Sequence, residues 1–259
     1  MDKQTIRDYA LTLGVDDVGI ASAADYVSPR SPRLEALLPG ARSLVVLAYR
    51  ELSTCESPSP QVAMNGRLDL MEFSRSANYR MARFLEREGE KAVTVPVSYP
   101  MEMSEATKGA VAEVSLRHAA VAAGLGSLGR HNLVIHPTLG TRVVFSAVLT
   151  SLDLPSDPPA PEDLCIHCDV CVDGCPGGAL AEPGKTDLGK CLRNSQPYGI
   201  GGSIRFWSRY ADATPEERKA LLKDPEYWRL YQAAFIGFQY FCFKCQSSCP
   251  VGRTPPKDA

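Results

Sequence analysis

Seven of the nine cysteines in this 259-residue chain fall in two runs of related spacing. The first is Cys165-x2-Cys168-x2-Cys171-x3-Cys175-Pro176; the second is Cys242-x2-Cys245-x3-Cys249-Pro250. C-x2-C-x2-C-x3-C-P is the bacterial ferredoxin spacing for [4Fe–4S] clusters. Two-residue gaps let three thiolates converge on three corners of one cubane from a tight loop. The three-residue gap before Cys-Pro swings the fourth thiolate away, toward a second cluster. Cluster one is then expected on Cys165, Cys168, Cys171 and Cys249. Cluster two takes Cys175, Cys242 and Cys245 and is one ligand short. Cys191, in GKCLRN between the runs, completes it and leaves Cys55 over.

Two tetrahedral zinc sites could also use eight cysteines, because C-x2-C pairs occur in zinc knuckles. The triple C-x2-C-x2-C followed by x3-C-P is unusual for zinc, so the cluster reading is preferred. Cys55, in STCESPSP, reads as an incidental loop cysteine. His167 stands between two ligands and is read as shaping cluster solvation or potential, not as a ligand. The letters GLGSLG at residues 124–129 match G-x-G-x-x-G, but a dinucleotide fingerprint needs strand, glycines and helix in that order. Here a helix precedes the glycines and a strand follows, so the expected reading is a helix C-cap and tight turn.

The elements that must carry these residues are set by periodicity. TIRDYALTLG reads as a helix ending at Gly14, DVGIAS as a strand, and residues 43–49 as a buried strand. A loop with Pro58 and Pro60 leads to a helix over roughly residues 67–87. KAVTVPV is strand-like, SYPMEMSEATKG loop-like, and AVAEVSLRHAAVAAG helical; NLVIH and RVVFSAVLT read as two more strands. The alternation predicts an α/β (or α+β) layered domain. LPSDPPAPED holds four prolines in ten residues and reads as a linker or extended crossing segment. The expected domains are residues 1–155, α/β, and residues 156–259, ferredoxin-like with two clusters. In the second, TPEE opens a helix with Thr214 as N-cap, Pro215 at N1 and Glu217 closing a capping box; PEYWRLYQAAFIG is a further helix.

Net charge is −2, with 44% apolar and 22% charged residues. Bulk electrostatic binding to nucleic acid is therefore not indicated. No apolar run approaches the roughly 20 residues that span a bilayer, and MDKQTIRDYALTLG lacks an h-region and a twin arginine. The expectation is a cytoplasmic protein without a membrane partner, whose cysteines serve metal or redox chemistry.

With both cysteine runs, Cys191 and AGLGSLGRHNLVIHP in view, the chain resembles the epoxyqueuosine reductase family, cobalamin-dependent double-[4Fe–4S] reductases related to reductive dehalogenases. IRDYALTLGVDDVGIASA, LPGARSLVVLAYR and FLEREGEKAVTVPV share in the resemblance, as does the sixteen-residue step from Cys175 to Cys191. The resemblance implies a base-off corrinoid in the first domain, lying against the segment from Gly126 to His136 and the strand end at Tyr49. Its contacts would come from Tyr49, Gly126, Gly129, Arg130, His131, Asn132 and Val134. No D-x-H-x-x-G corrinoid signature is present.

Three features depart from the family. Its Asp-Ser/Thr-x-Pro stretch, thought to hold the proton donor, is absent, and a gapless count back from Gly124 lands on Ala110. Glu113, Glu105 and Tyr99 are the substitutes considered, with Glu102 nearby. The family substrate is a tRNA, yet this chain is mildly acidic and runs only ten residues past Cys249. The interval from Cys191 to Cys242 is long, and its Tyr198, Phe206, Trp207 and Trp228 read as a substrate wall or as core.

The functional expectation is an oxidoreductase. Electrons from a ferredoxin- or flavodoxin-type donor would pass through two [4Fe–4S] clusters to a cobalamin, for reduction of a small molecule or corrinoid. The alternatives are an electron-transfer or reductive-activation protein serving a partner's corrinoid or flavin, and an epoxyqueuosine (tRNA) reductase. Nucleic acid is expected not to be a partner.

Overall fold

The computed structural model describes residues 1–97, 102, 104, 106–107, 111–237 and 240–252. Helix α1 (Lys3–Thr12) is started by Asp2, whose side chain accepts from the Thr5 amide at 2.9 Å, and it buries Ile6 and Ala10. Strand β1 (Asp17–Ser22) follows, then a single turn α2 (Leu34–Leu37) and strand β2 (Ser43–Arg50). Helix α3 (Pro60–Arg87) begins seven residues earlier than expected. Ser59 caps it through the Val62 amide and Pro60 occupies the first turn. The two prolines that read as loop therefore include a helix start, because proline's fixed φ and missing N–H cost nothing there.

Strand β3 (Ala92–Thr94) and helix α4 (Leu116–Ala122) come next. α4 is half the length of the pattern that suggested it, since residues 111–115 stay outside it. Strands β4 (Ser127–Leu128) and β5 (Val134–Ile135) form a small hairpin, and β6 (Val143–Thr150) closes the region. The main sheet runs β1-β2-β6-β3, and every pairing in it is antiparallel. The fold is thus mixed α/β around an antiparallel sheet, the α+β form of the expectation. Alternating helix and strand patterns do not encode strand direction, so the sequence left both forms open.

Both faces of the sheet are covered, and β2 shows it residue by residue. Leu44, Val46 and Ala48 join α2, α4 and Val134 on one face. Val45, Leu47 and Tyr49 join Ile6, Ala10, Met81 and Leu85 of α1 and α3 on the other. A strand buried on both sides reads as an unbroken apolar run, which is why SLVVLAY was legible. α4 comes down close on β1 at Gly19, where a Cβ would stand 2.3 Å from the Ala123 carbonyl oxygen and 2.9 Å from Leu125 Cγ. Gly19→Ala is expected to cost about 1–3 kcal/mol by overpacking against backbone that cannot yield. At this size that lowers Tm by about 2–4 °C per kcal/mol. An unchanged melt would mean that α4 is not seated through that gap.

The proline-rich segment is an extended crossing that lies along the free edge of β1. The Ile20 amide donates to Asp157 Oδ2 and the Asp157 amide to the Ile20 carbonyl, each at 2.8 Å. Lys3 Nζ reaches Asp157 Oδ1 at 2.9 Å, and Arg7 bonds the other oxygen. Burial pushes the Asp157 carboxyl up, but these donors outweigh it and hold it below the ordinary range. Beyond lie α5 (Val170–Asp173), α6 (Leu188–Ser195), α7 (Ile200–Asp212), α8 (Pro215–Leu221), α9 (Pro225–Tyr231) and α10 (Lys244–Ser248). The capping box on Thr214 and Glu217 forms as the sequence predicts. α9 runs on into one π turn, Gln232–Ile236. Among the described residues this half contributes no strand to either sheet, so the ferredoxin-like expectation is carried there by cysteine spacing alone.

Candidate functional site

The structure gathers the cysteines in two sets. Burial raises the Cys171 thiol above its ordinary pKa, and the thiols that add to the shift are Cys249, Cys165 and Cys168. Burial likewise raises Cys249, which also feels Cys168. In the second set burial raises Cys191, with Cys242 and Cys175 adding to it. Cys245 is pushed up to about 12, first by burial and then by Cys242, Cys191 and Cys175. These are the two quartets expected from spacing. Like charges crowded at a dry site cannot ionise together unless a cation shares the charge.

Among the described residues no three His, Cys, Asp or Glu side chains converge tightly enough to hold a single metal ion. The fit to a cluster therefore rests on the donor set, eight soft thiols in two quartets, and on the donors facing them. The Arg130 amide donates to Cys165 Sγ at 3.4 Å and the Ala179 amide to Cys175 Sγ at 3.3 Å. Hydrogen bonds of this kind to sulfur are among the groups that set a cluster's potential.

Local structure explains how the chain reaches these positions. His167 and Asp169 both hold left-handed backbone, at φ 50° and 54°, which curls the first run into a compact loop. His167 itself points outward and faces Asp163 at 3.4 Å, with its side chain 71% exposed. Its contribution in the structure is to the turn. α5 carries Cys171 and packs against α10, which carries Cys245 and ends at Cys249. α6, capped by Asp187 through the Lys190 amide, carries Cys191 in its first turn. Cys55 is buried with Ala63 and with Phe243, the residue between Cys242 and Cys245, and burial raises its thiol to about 11.

A network that the sequence did not announce fixes the last run to the sheet. Arg142, 8% exposed, donates through Nη1 to the Cys249 carbonyl and through Nη2 to the Ser247 carbonyl, both at 2.8 Å. The same guanidinium binds Glu56 Oε1 at 2.7 and 3.0 Å. Thr141 Oγ1 donates to the Gln246 carbonyl at 2.8 Å. The Gln246 side chain joins the buried pair Arg67–Glu51, which is closed at 2.8 Å, and Arg67 lies over the Phe243 ring. Nothing in TRVVFS separates Arg142 from a surface arginine; its role depends on contacts made 105 and 107 positions away.

All four thiols of the second set line a cavity of about 510 Å³. Its walls include His131, Asn132 and Leu133, together with Arg30, Arg117, Lys185 and Lys244. A smaller cavity of about 300 Å³ shares Arg30 and Arg117 and reaches Glu113 and His118. Arg117 also donates to the Asn132 carbonyl. His131 is 4% exposed and burial holds its imidazole neutral, down to about 4. Arg130 is engaged elsewhere, pairing with Asp169 at 3.1 Å and donating to the carbonyls of Leu180, Ala181 and Glu182.

The other expected cofactor contacts are placed differently. Tyr49 is 1% exposed, bonds Ser146 Oγ at 2.8 Å and meets Phe73 edge-on. It faces α1 and α3, away from the cavity, because position 49 of β2 alternates with Ala48 onto the other side of the sheet. Val134 belongs to the core under α4. Gly126 and Gly129 sit against Ile135 in the β4–β5 hairpin. Gly124 adopts φ 71° at the end of α4, and the Leu125 amide returns to the Ala120 carbonyl at 2.9 Å, so the glycines form a helix C-cap.

Of the proton-donor candidates, Tyr99 and Glu105 lie outside the described residues. Glu113 borders the smaller cavity, one cavity removed from the thiols. Glu102 is exposed and accepts from Thr107 Oγ1 at 2.5 Å. Of the aromatic candidates, Phe206 is fully buried, whereas Trp207 and Trp228 remain 49% and 58% exposed. Tyr198 accepts from Arg229 at 2.7 Å and meets Tyr240 edge-on. No helix among the described residues is long and apolar enough to cross a membrane.

No family model matches the sequence. An epoxyqueuosine reductase of Bacillus cereus is 26% identical over 279 aligned positions, covering 97% of this chain and 64% of the relative. The solved structure of an epoxyqueuosine reductase with an epoxyqueuosine-modified tRNA-Tyr stem loop superposes with TM-score 0.58 at 20% identity, over 96% of this chain and 65% of its own. A reductive dehalogenase, described with a mechanism for B12-dependent dehalogenation, superposes with TM-score 0.56 at 20% identity, over 85% and 35%. The fold is the one shared by epoxyqueuosine reductases and reductive dehalogenases. Among curated proteins the chain is similar over nearly its whole length to epoxyqueuosine reductases, the resemblance its motifs implied. It spans 64% of the length of the Bacillus cereus relative.

Proposed function

We propose that the chain is a corrinoid-dependent iron–sulfur reductase of the epoxyqueuosine reductase kind, fed by a ferredoxin- or flavodoxin-type donor. The observation that carries this reading is the shared cavity: the second thiol quartet and residues 131–133 line one space. Cys165, Cys168, Cys171 and Cys249 would hold one [4Fe–4S] cluster, and Cys175, Cys191, Cys242 and Cys245 the other. When bound, the clusters and a base-off corrinoid supply one-electron transfer and low-valent metal chemistry. The chain's own residues position and insulate. Arg142 and Thr141 hold the last cysteine run in register, and the amides of Arg130 and Ala179 point at thiol sulfur. Asn132 and His131 form the wall that a corrinoid would meet, in place of Tyr49 and Val134. Arg30, Arg117, Lys185 and Lys244 make that space cationic, which favours an anionic or phosphate-bearing ligand.

For the substrate, relatives named epoxyqueuosine reductase, one of them solved with a modified tRNA stem loop, favour epoxyqueuosine in tRNA over the free small molecule first expected. They weigh against the expectation that nucleic acid is not a partner, which rested on net charge and on the short run past Cys249. A second reading, reductive activation of a partner's corrinoid, draws on one feature: among the described residues lining the thiol cavity there is no carboxylate to deliver a proton.

One experiment separates the two. Anaerobically reconstituted protein is expected to hold about eight iron and eight sulfide per chain and to take up cobalamin in a base-off form. It should then reduce an epoxyqueuosine-modified stem loop under a low-potential donor. A full iron complement with no corrinoid uptake would overturn the first reading in favour of the second.

A further inference from the structure

Of the eight cysteines in the two quartets, Cys168 alone is an exposed residue; the others are buried or half-buried. It stands at the apex of the first run, and its neighbours are turned to solvent as well. Ile166 is 64% exposed and Val170 43%, and neither joins a buried cluster of the core. The second quartet is placed differently: its four thiols line the cavity of about 510 Å³ with residues 131–133. One quartet thus presents a thiol at the surface, and the other borders the space proposed for the corrinoid. Electrons arriving from outside meet the first quartet first.

Charge says what can approach. Between positions 162 and 173 stand Glu162, Asp163, Asp169 and Asp173, all exposed, and no lysine or arginine. Asp169 is answered by Arg130 and Asp163 by His167. Glu162 and Asp173 form no ion pair among the described residues. The cavity of the second quartet has the opposite sign: Arg30, Arg117, Lys185 and Lys244 line it, and no carboxylate does among its described residues. A net charge of −2 conceals this separation. An acidic rim around two aliphatic side chains and an exposed ligand residue complements a basic surface with an apolar centre. Electron-transfer encounters are transient and use small interfaces, below about 1,200 Å², so a patch of this extent suffices.

We infer that the face formed by Ile166, Cys168 and Val170 is the docking surface for a protein electron donor, and that this donor carries lysine or arginine around its redox centre. The inference rests on the double-cluster reading of the proposed function and deepens it by naming the donor's place and surface. Charge then sorts the two ligands of the chain. A basic donor is drawn to the first quartet, while an anionic substrate is repelled there and drawn to the cationic cavity of the second. Donor and substrate are thereby bound without competing for one surface.

The test runs the exchange backwards, from reduced full-chain protein to a haem protein of chosen charge. Reconstituted protein is reduced, freed of reductant and mixed in a stopped-flow cell with ferricytochrome c, a basic protein. A second sample receives the same cytochrome succinylated, its lysines turned into carboxylates. Each [4Fe–4S] cluster passing from 1+ to 2+ gives one electron to one ferric haem, which becomes ferrous. The basic form should be reduced about 10-fold faster at low salt, an advantage lost at about 0.5 M salt. Glu162→Gln/Asp163→Asn/Asp173→Asn should slow the basic form about 3- to 10-fold at low salt. Glu86→Gln/Asp212→Asn/Glu216→Gln, which removes as much charge from exposed positions elsewhere, should slow it much less. About eight iron in the unmutated protein and both variants shows that the double-cluster reading stands. With that iron content, equal rates for the two cytochromes, or equal slowing by the two variants, overturn the docking surface. About four iron in the unmutated protein removes the reading beneath it. Should the first variant fail to fold, Glu162→Gln alone against Glu216→Gln alone decides by the same comparison.

Discussion

Cys249→Ser is expected to remove the cluster built on Cys165, Cys168 and Cys171 and to leave the other intact. Iron should fall from about eight to about four per chain, with the EPR signal of one cluster lost. Cys191→Ser should do the converse. The expectation comes from the crossing pattern. Cys249 lies 74 positions beyond Cys175 in sequence, yet it is the first thiol to act on Cys171, and Cys168 acts on it in turn. Cys175, which ends the first run, acts instead on Cys191 and Cys245. Serine keeps the size but loses the soft thiolate that iron–sulfur sites require. The double comparison carries the weight. If each run were a self-sufficient loop, Cys165→Ser and Cys175→Ser would extinguish the same signal. That result would sink the crossed assignment even with iron halved.

The grouping of the cysteines into two sets could be proposed from sequence because cluster chemistry acts through spacing, and spacing is local. The same holds for the capping box at Thr214 and for the apolar runs of β2 and β6, where burial on both faces leaves an unbroken signature. Legibility ended where a residue's role depends on what approaches from elsewhere. Ser59-Pro60 can open a helix or sit in a loop, and the choice is made by whether residues 61–66 find a surface to pack against. The face on which Tyr49 lies is fixed by strand register, and moving one position along a strand reverses it. His167, between two ligands, reads as a cluster neighbour, but its left-handed φ sends the ring outward to Asp163. Phe206 and Trp207 are adjacent and equally aromatic, yet one is core and the other half-exposed.

The sequence located the walls of the cavity better than their function. Residues 131 and 132 were marked through family resemblance, and they do border the thiols. Arg30 and Arg117 were not marked, although they join the two cavities, because an isolated arginine carries no periodic or spacing signal. Of the proton-donor candidates, Tyr99 and Glu105 fall outside the described residues, and Glu113 borders the neighbouring cavity.

Arg142→Met is the second change expected to have a large effect, and it tests the claim that the sheet, and not the cysteine loop, seats the last ligand run. The guanidinium meets two carbonyls of the run, the Thr141 hydroxyl and Glu56 simultaneously. Methionine fills the volume but leaves the carbonyls of Ser247 and Cys249 without a donor and Glu56 without a partner. Charged hydrogen bonds and broken buried pairs set the scale. Glu56 is 47% exposed, which places the cost at the lower end, about 2–3 kcal/mol. That energy is local to the segment between Gln246 and Cys249, so it should appear as easier loss of the cluster that depends on Cys249. Chelator is expected to strip that cluster roughly 30- to 150-fold faster at equal concentration, if the full cost falls on opening of the segment. The second cluster should be stripped at its former rate. Arg142→Lys should fall between the two, because a single ammonium cannot span two carbonyls and a carboxylate as the planar fork does. Equal release from both clusters would mean that the arginine stabilises the fold in general. Unchanged release from both would mean that α5 and α10 hold Cys249 without help from β6.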